Sequence, residues 1–280
     1  MAGQDGLPTE QKYENADGLR IAYRTWAPVG SPKAAVLIVP GFNSHSGYYG
    51  WTANQLASQG YVVYAVDLRG RGLSDGERFY VDDVEQYVAD VDGVMEIVRK
   101  EHKGLKVFVL GHSAGGVVSC VYTLDHQDKV AGLLCESFAY QVPAPDFALA
   151  ALKGLSHLAP HAHVVALANK DFSRDSTAVA AMDADPLIAH ETQPTKTMAA
   201  LARADDRLKT SFGQIKVPVL ILHGTMDKAT KYQGSQFFYD HAGSADKTLK
   251  LYEGHYHDML NDIGKDKVMA DITGWLAAHV

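Results

Sequence analysis

The apolar run Val107-Phe108-Val109-Leu110, followed at once by Gly111-His112-Ser113-Ala114-Gly115, constrains this chain most. Four consecutive apolar residues suit a buried strand, and residues 117–124 suit a helix. Between them Gly-x-Ser-x-Gly makes a sharp turn. Strand, turn and helix in that order form a nucleophile elbow. The serine is held in a strained backbone conformation, and the flanking glycines let strand and helix pack closely. Its Oγ then stands above the carboxyl end of a sheet.

The rest of the chain supplies such a sheet. Apolar runs at 34–39, 61–66, 106–110, 130–135, 217–222 and 248–252 alternate with helical stretches, among them 81–103, 232–241 and 265–279. Short, continuous apolar strands alternating with helices predict an α/β fold with a mostly parallel central sheet and helices on both faces. Residues 13–26, broken by Ala16-Asp17-Gly18, read as an antiparallel edge hairpin. From 141 to 214 no strand is expected. Ala-rich helical pieces dominate there, punctuated by Pro143, Pro145, Pro160, Pro186 and Pro194. The expected organisation is a core of residues 1–140 and 215–280, with a helical cap of residues 141–214 inserted after strand six.

Composition narrows the function classes. The 280 residues are 46% hydrophobic, enough for a large core. A net charge of −7 argues against nucleic acid or an anionic membrane surface as the main partner. Two cysteines, Cys120 and Cys135, make no disulfide framework and read as buried thiols. Residues 1–12 lack the basic start and apolar run of a signal peptide, and no segment is apolar enough to span a bilayer. A cytoplasmic protein is expected.

A serine nucleophile needs a base within hydrogen-bond reach and an acid to orient that base. In this architecture the chain order is serine, acid, histidine, each just past the carboxyl end of a strand. Asp227 follows the run 217–222 and is the acid candidate; Glu136, directly after Cys135, is the rival. His257 and His255 both follow the last run and compete as the base. An oxyanion hole needs two donors already in place. The Ala114 N–H is one. The Phe42 N–H, in Val39-Pro40-Gly41-Phe42, is the other candidate. His112 adjoins Ser113, but its side chain is expected to point away, at the margin of the pocket. His157, His161 and His163 read as solvated cap histidines, and neither metal nor organic cofactor is expected. Phe147, Leu149, Leu152, Leu155 and Leu158 form an apolar cap stretch. It reads mainly as cap core, with Leu149 a pocket candidate and a minor share offered to weak contact with a membrane surface.

With these residues in view, the chain resembles the monoacylglycerol lipase-like branch of the α/β-hydrolase superfamily. The resemblance rests on His45-Ser46-Gly47-Tyr48-Tyr49, Asp67-Leu68-Arg69-Gly70-Arg71-Gly72-Leu73-Ser74, Leu110 through Gly116, Asp185-Pro186-Leu187-Ile188, Gly224-Thr225-Met226-Asp227, and Lys247 through Gly254 with His257. It implies an α/β-hydrolase fold and a triad of Ser113, Asp227 and His257, and so prefers His257 over His255 and Asp227 over Glu136. Departures accompany it. Pro40-Gly41 stands where the family usually has His-Gly. Ser44 and Tyr48 look like the positions of a glutamate and an arginine that help hold glycerol, and Met182 that of a tyrosine. The fold and triad carry over; the monoglyceride substrate does not follow. The expectation is a serine carboxylic ester hydrolase acting on a small-molecule ester of short to medium acyl chain and aryl or simple alkyl alcohol. A thioesterase, amidase or acyltransferase would use the same triad. A ligand receptor on a hydrolase fold is the remaining alternative, and the intact triad positions count against it.

Overall fold

The computed structural model describes residues 6–140 and 146–280, with side chains of the helix that opens at Asp146 described from residue 150. In chain order the elements are β1 (Thr9–Glu14), β2 (Arg20–Trp26), β3 (Ala34–Val39), α1 (Gly50–Ser58), β4 (Tyr61–Val66), α2 (Val84–Glu101), β5 (Val107–His112), α3 (Ala114–Asp125) and β6 (Gly132–Glu136). Then come α4 (Asp146–Leu158), β7 (His163–Ala166), α5 (Ser176–Ala184), β8 (Thr192–Pro194), α6 (Thr195–Ser211), β9 (Val219–Gly224), α7 (Tyr232–His241), β10 (Lys247–Tyr252) and α8 (Lys265–His279).

Among the described residues, eight strands form one sheet in the order β1-β2-β4-β3-β5-β6-β9-β10. The β1–β2 and β2–β4 pairs are antiparallel, and the remaining pairs are parallel. Every residue of β3, β4, β5, β6 and β9 is buried, which explains their unbroken apolar sequences. Successive side chains enter opposite layers. Val109 and Val117 join the layer of α2 and α3, whereas Phe108 and Leu110 join that of α1 and α8.

Local chemistry sets the boundaries. The edge hairpin turns where the Asn15 carboxamide accepts from the Asp17 and Leu19 amides and Gly18 takes a φ of 76°. The helix expected from residue 81 begins at Val84, because Asp83 is extended and its carboxylate accepts from the Val84 amide.

The expectation of no strand between 141 and 214 is corrected: β7 and β8 pair antiparallel there. Both are short, and neither shows the alternation that marks a strand in sequence. The same segment contributes α6, whose Ala200, Leu201, Ala204 and Leu208 enter the large core layer beside α2 and α3. Polar contacts hold the rest of the insert. Arg71, buried, pairs with Glu191 and donates to the Gln193 side-chain Oε1; His45 meets Asp185 at 2.8 Å; Arg174 meets Asp262 at 2.8 Å.

Candidate active site

β5 runs into α3 through Ser113, which takes φ 54° and ψ −122°, a region that non-glycine residues rarely occupy. The turn survives because its surroundings over-determine it. The Ser113 amide donates to the Glu136 carbonyl at 2.9 Å. A Cβ on Gly115 would lie 2.1 Å from the Val39 carbonyl oxygen, so only glycine lets α3 approach β3. The loop after β3 is equally close: a Cβ on Gly41 would sit 2.8 Å from the Ser113 Cβ. Phe42 and Ala114 therefore line one crevice. The Ala114 amide also stands at the N-terminus of α3, where helix donors are unsatisfied and negative charge is favoured. The Phe42 ring lies under the Arg71 guanidinium, 4.3 Å from its centroid, which ties this loop to the insert.

Asp227 and His257 arrive from the loops after β9 and β10. His257 Nδ1 is 2.7 Å from Asp227 Oδ2. With its proton on Nδ1, His257 presents an unprotonated Nε2, an atom with no hydrogen-bond partner among the described residues. Asp227 is held from several sides. Its Oδ1 accepts from the Ala229 and Thr230 amides, and its Oδ2 accepts from Thr230 Oγ1 at 2.8 Å. His223 Nε2 lies 3.1 Å from the same oxygen, and its Nδ1 meets Ser235 Oγ at 2.7 Å. Burial works against the Asp227 charge, but the two imidazoles outweigh it and hold the carboxyl far below the usual carboxylate range.

The rival candidates lie elsewhere. His255 sits 3.9 Å from Asp262 and its ring lies beside that of Tyr252. Glu136 faces His112 Nε2 at 3.5 Å, and its Oε1 accepts from the Met259 amide at 2.8 Å. His112 lies beside the His257 ring, with centroids 4.9 Å apart. Burial, reinforced by His257, keeps His112 well below the ordinary histidine value, and burial lifts Glu136 and Asp258 above theirs. His112, Glu136 and Asp258 place one potential ligand atom each within 4.8 Å of one another. One oxygen of each carboxyl is already engaged, by the Met259 amide and the Asn261 carboxamide, so the group reads as polar packing. Two histidines of the insert separate: His161 pairs with Glu77 and stacks on Tyr80, while His163 bonds to Thr192.

On the far side of His257 the insert closes in. Phe172 meets the His257 ring edge-on at 4.9 Å, and its carbonyl accepts from the Asp258 amide at 2.8 Å. Phe172, Met182 and Ile188 form a small apolar cluster against which Tyr48 packs. Ser44 is buried in the loop before Tyr48. Leu149 lies outside the described side chains. Phe172, His223, Thr230 and Arg71 escaped the sequence reading of the site. Thr230 and His223 sit three after and four before Asp227, a local signal; Phe172 and Arg71 have none, because their partners are distant in sequence.

The serine aminopeptidase S33 hydrolase family model matches residues 30–264. The chain belongs to this family. It is a monoacylglycerol lipase-like α/β hydrolase by similarity over nearly its whole length. A monoacylglycerol lipase of Mycolicibacterium smegmatis is 31% identical over 276 residues, 97% of this chain and 98% of that protein. The human monoglyceride lipase is 32% identical, covering 94% of this chain and 88% of its own length. The crystal structure of a monoacylglycerol lipase from Paleococcus ferrophilus superposes with a TM-score of 0.82 at 29% identity, covering 98% of this hydrolase and all of that chain.

Proposed function

We propose that this hydrolase cleaves carboxylic esters through an acyl-enzyme on Ser113, with His257 as base and Asp227 as its orienting acid. The observation that carries the reading is the 2.7 Å bond from His257 Nδ1 to Asp227; Nε2 makes no hydrogen bond to Ser113 Oγ in this structure and stays open to take its proton, with the His257 ring against His112, the neighbour of Ser113. His257 Nε2 takes the Ser113 proton as Oγ attacks the carbonyl carbon. The Phe42 and Ala114 amides stabilise the oxyanion. The tetrahedral intermediate collapses, the C–O bond to the alcohol breaks, and His257 protonates the departing oxygen. Water, deprotonated by His257, then attacks the acyl-enzyme and releases the acid and Ser113.

The alcohol end is read as apolar. Phe172 packs on the His257 ring, and Met182, Ile188 and Tyr48 cluster with Phe172, a setting suited to aryl or simple alkyl alcohols. The acyl side is read as short to medium in reach: Phe42 and Ala114 share a closely packed crevice with Leu68, Arg71, Val118 and Leu201, which leaves little depth directly behind the two amide donors. Residues 141–214 act as a cap over a core of 1–140 and 215–280. Leu155, Leu158 and Val164, exposed on the cap, offer a weak contact to a lipid surface. No described helix is long and apolar enough to cross a membrane, and a cytoplasmic setting is proposed with this reading.

Hydrolysis of p-nitrophenyl esters from acetate to palmitate, by wild type and Ser113→Ala, tests the proposal. Turnover that peaks at short to medium chains and collapses in the variant is expected. Preference for a long-chain monoglyceride over every simple ester would overturn the substrate assignment. Amide, thioester or transfer chemistry takes its place if the folded protein turns over no ester.

A further inference from the structure

Glu136 ties together the two loops that carry Ser113 and His257. At the end of β6 it stands in register with His112 on one side and Leu222 on the other. Its backbone carbonyl accepts from the Ser113 amide, and its side-chain Oε1 accepts from the Met259 amide, two residues past His257. His112 fills the space between, 3.5 Å from Glu136 Oε2 and in ring contact with His257. All of this is enclosed: Glu136 and His257 have no exposed surface, and His112 has 1%.

The surroundings of the carboxyl decide its state. His112 faces it from β5, Asp227 from the loop after β9, and Asp258 from the loop after β10. The Tyr49 and Tyr252 phenols lie near it from the segments before α1 and at the end of β10. No lysine or arginine pairs with it among the described residues. A bare carboxylate buried without a cation is costly, and a proton on Oε2 removes that cost. Glu136 Oε2 and both His112 nitrogens are buried without partners, so a proton there has a receiver in reach. The 3.5 Å gap is longer than a hydrogen bond, and a shift of roughly half an ångström closes it.

We propose that Glu136 is a positioning residue for the triad: as a neutral carboxylic acid it accepts the Met259 N–H at Oε1 and offers its Oε2–H to His112 Nε2, holding the His257 ring at the height Ser113 requires. The inference rests on the Ser113–His257–Asp227 reading above. Glutamine preserves both contacts, since its carbonyl oxygen accepts and its amide donates. Leucine preserves volume and removes both.

The test is kcat and KM on p-nitrophenyl butyrate from pH 5 to 9 for wild type, Glu136→Gln, Glu136→Leu and Ser113→Ala, each checked for folding by circular dichroism. Glu136→Gln is expected to keep kcat within about 3-fold with the acid limb of the profile unmoved, and Glu136→Leu to lose about 30-fold or more in kcat with little change in KM, the scale of a small misplacement of a reacting group. A glutamine variant as slow as leucine, or one whose acid limb moves, overturns the neutral-acid role. A leucine variant as fast as wild type, or one changed only in KM, overturns positioning. Loss of wild-type activity on treatment with a chelator overturns it too, since His112, Glu136 and Asp258 would then be holding a metal.

Should leucine not fold, thermal midpoints of wild type and Glu136→Gln decide. The folded acid keeps its proton above the unfolded value of about 4.3, so the wild type loses stability relative to glutamine as pH rises through that value. The two midpoints should agree near the acid end and diverge toward neutrality. A constant gap overturns the proposal. Activity surviving in Ser113→Ala would instead remove the triad reading itself.

Discussion

The carboxyl ends of the sheet strands and the insert between β6 and β9 meet at His257, and they are built differently. The sheet ends are positioned by backbone. Ser113 is pinned by the Glu136 carbonyl and the approach of β3, and Asp227 by the amides of Ala229 and Thr230. Most of the insert outside α6 is held by side-chain charges reaching across from the core: Arg71 to Glu191, His45 to Asp185, Asp262 to Arg174. A backbone-held group keeps its place when nearby side chains change. A segment held by ion pairs can be released by one substitution or by pH. The two halves are supported by largely different interactions, and they touch at Phe172, which packs on His257 and accepts from the Asp258 amide.

Breaking the backbone-held half should act mainly on chemistry. Ser113→Ala is expected to lower kcat by about 10⁴-fold or more with the thermal midpoint preserved, read from ester turnover and calorimetry. Asp227→Asn should cost about 10⁴-fold in kcat, because the amide cannot hold His257 in its active tautomer. Should the loss appear in KM instead, Asp227 is not the orienting acid.

Breaking the ion-paired half should act on stability and access. Arg71→Met leaves Glu191 buried without its partner and removes the cation over the Phe42 ring. The expected cost is about 3–5 kcal/mol, measured by denaturant unfolding. If stability is unchanged, this pair is not what seats the insert.

Acid should sharpen the contrast. Asp185 and Asp262 are both held below the ordinary aspartate value, opposed by burial and favoured by hydrogen bonds from His45 and from the Arg174 amide and guanidinium, respectively. The stability they lend is present above the unfolded value of about 3.9 and is lost as pH falls below it. Limited proteolysis near pH 3.5 is expected to cut within 146–194 before far-ultraviolet dichroism reports loss of the sheet. The smallest effect belongs to the exposed face. Leu158→Ser, at a side chain 87% exposed, should change stability by no more than about 0.5 kcal/mol while reducing turnover on vesicle-borne esters. Equal turnover on dissolved and vesicle-borne esters in both proteins would remove the proposed lipid contact.

The two halves were unequally legible in the sequence. The parallel strands and the elbow announce themselves because a strand buried on both faces must be apolar along its length, as Tyr61–Val66 and Val219–Leu222 are. β7 and β8 do not, since three or four residues paired at the surface of an insert need no pattern. Strand order leaves Asp227 or Glu136 as the acid and His257 or His255 as the base, and family likeness prefers Asp227 and His257. The structure adds what no spacing encodes: His223 and Thr230 steady Asp227, Phe172 covers His257, and Glu136 serves both loops from beneath.

The sequence by itself determined the layered sheet, the serine turn and the order of candidate residues along the chain. Each of these follows from hydrophobic period or local backbone sterics, which neighbouring residues carry. Only the tertiary structure shows how closely Asp227 meets His257, where Glu136 is buried, and that Phe172 packs on the His257 ring. Those outcomes depend on contacts between residues far apart in the chain, such as Asn43 with Asn169 and Arg71 with Glu191, and on burial that changes the cost of a charge.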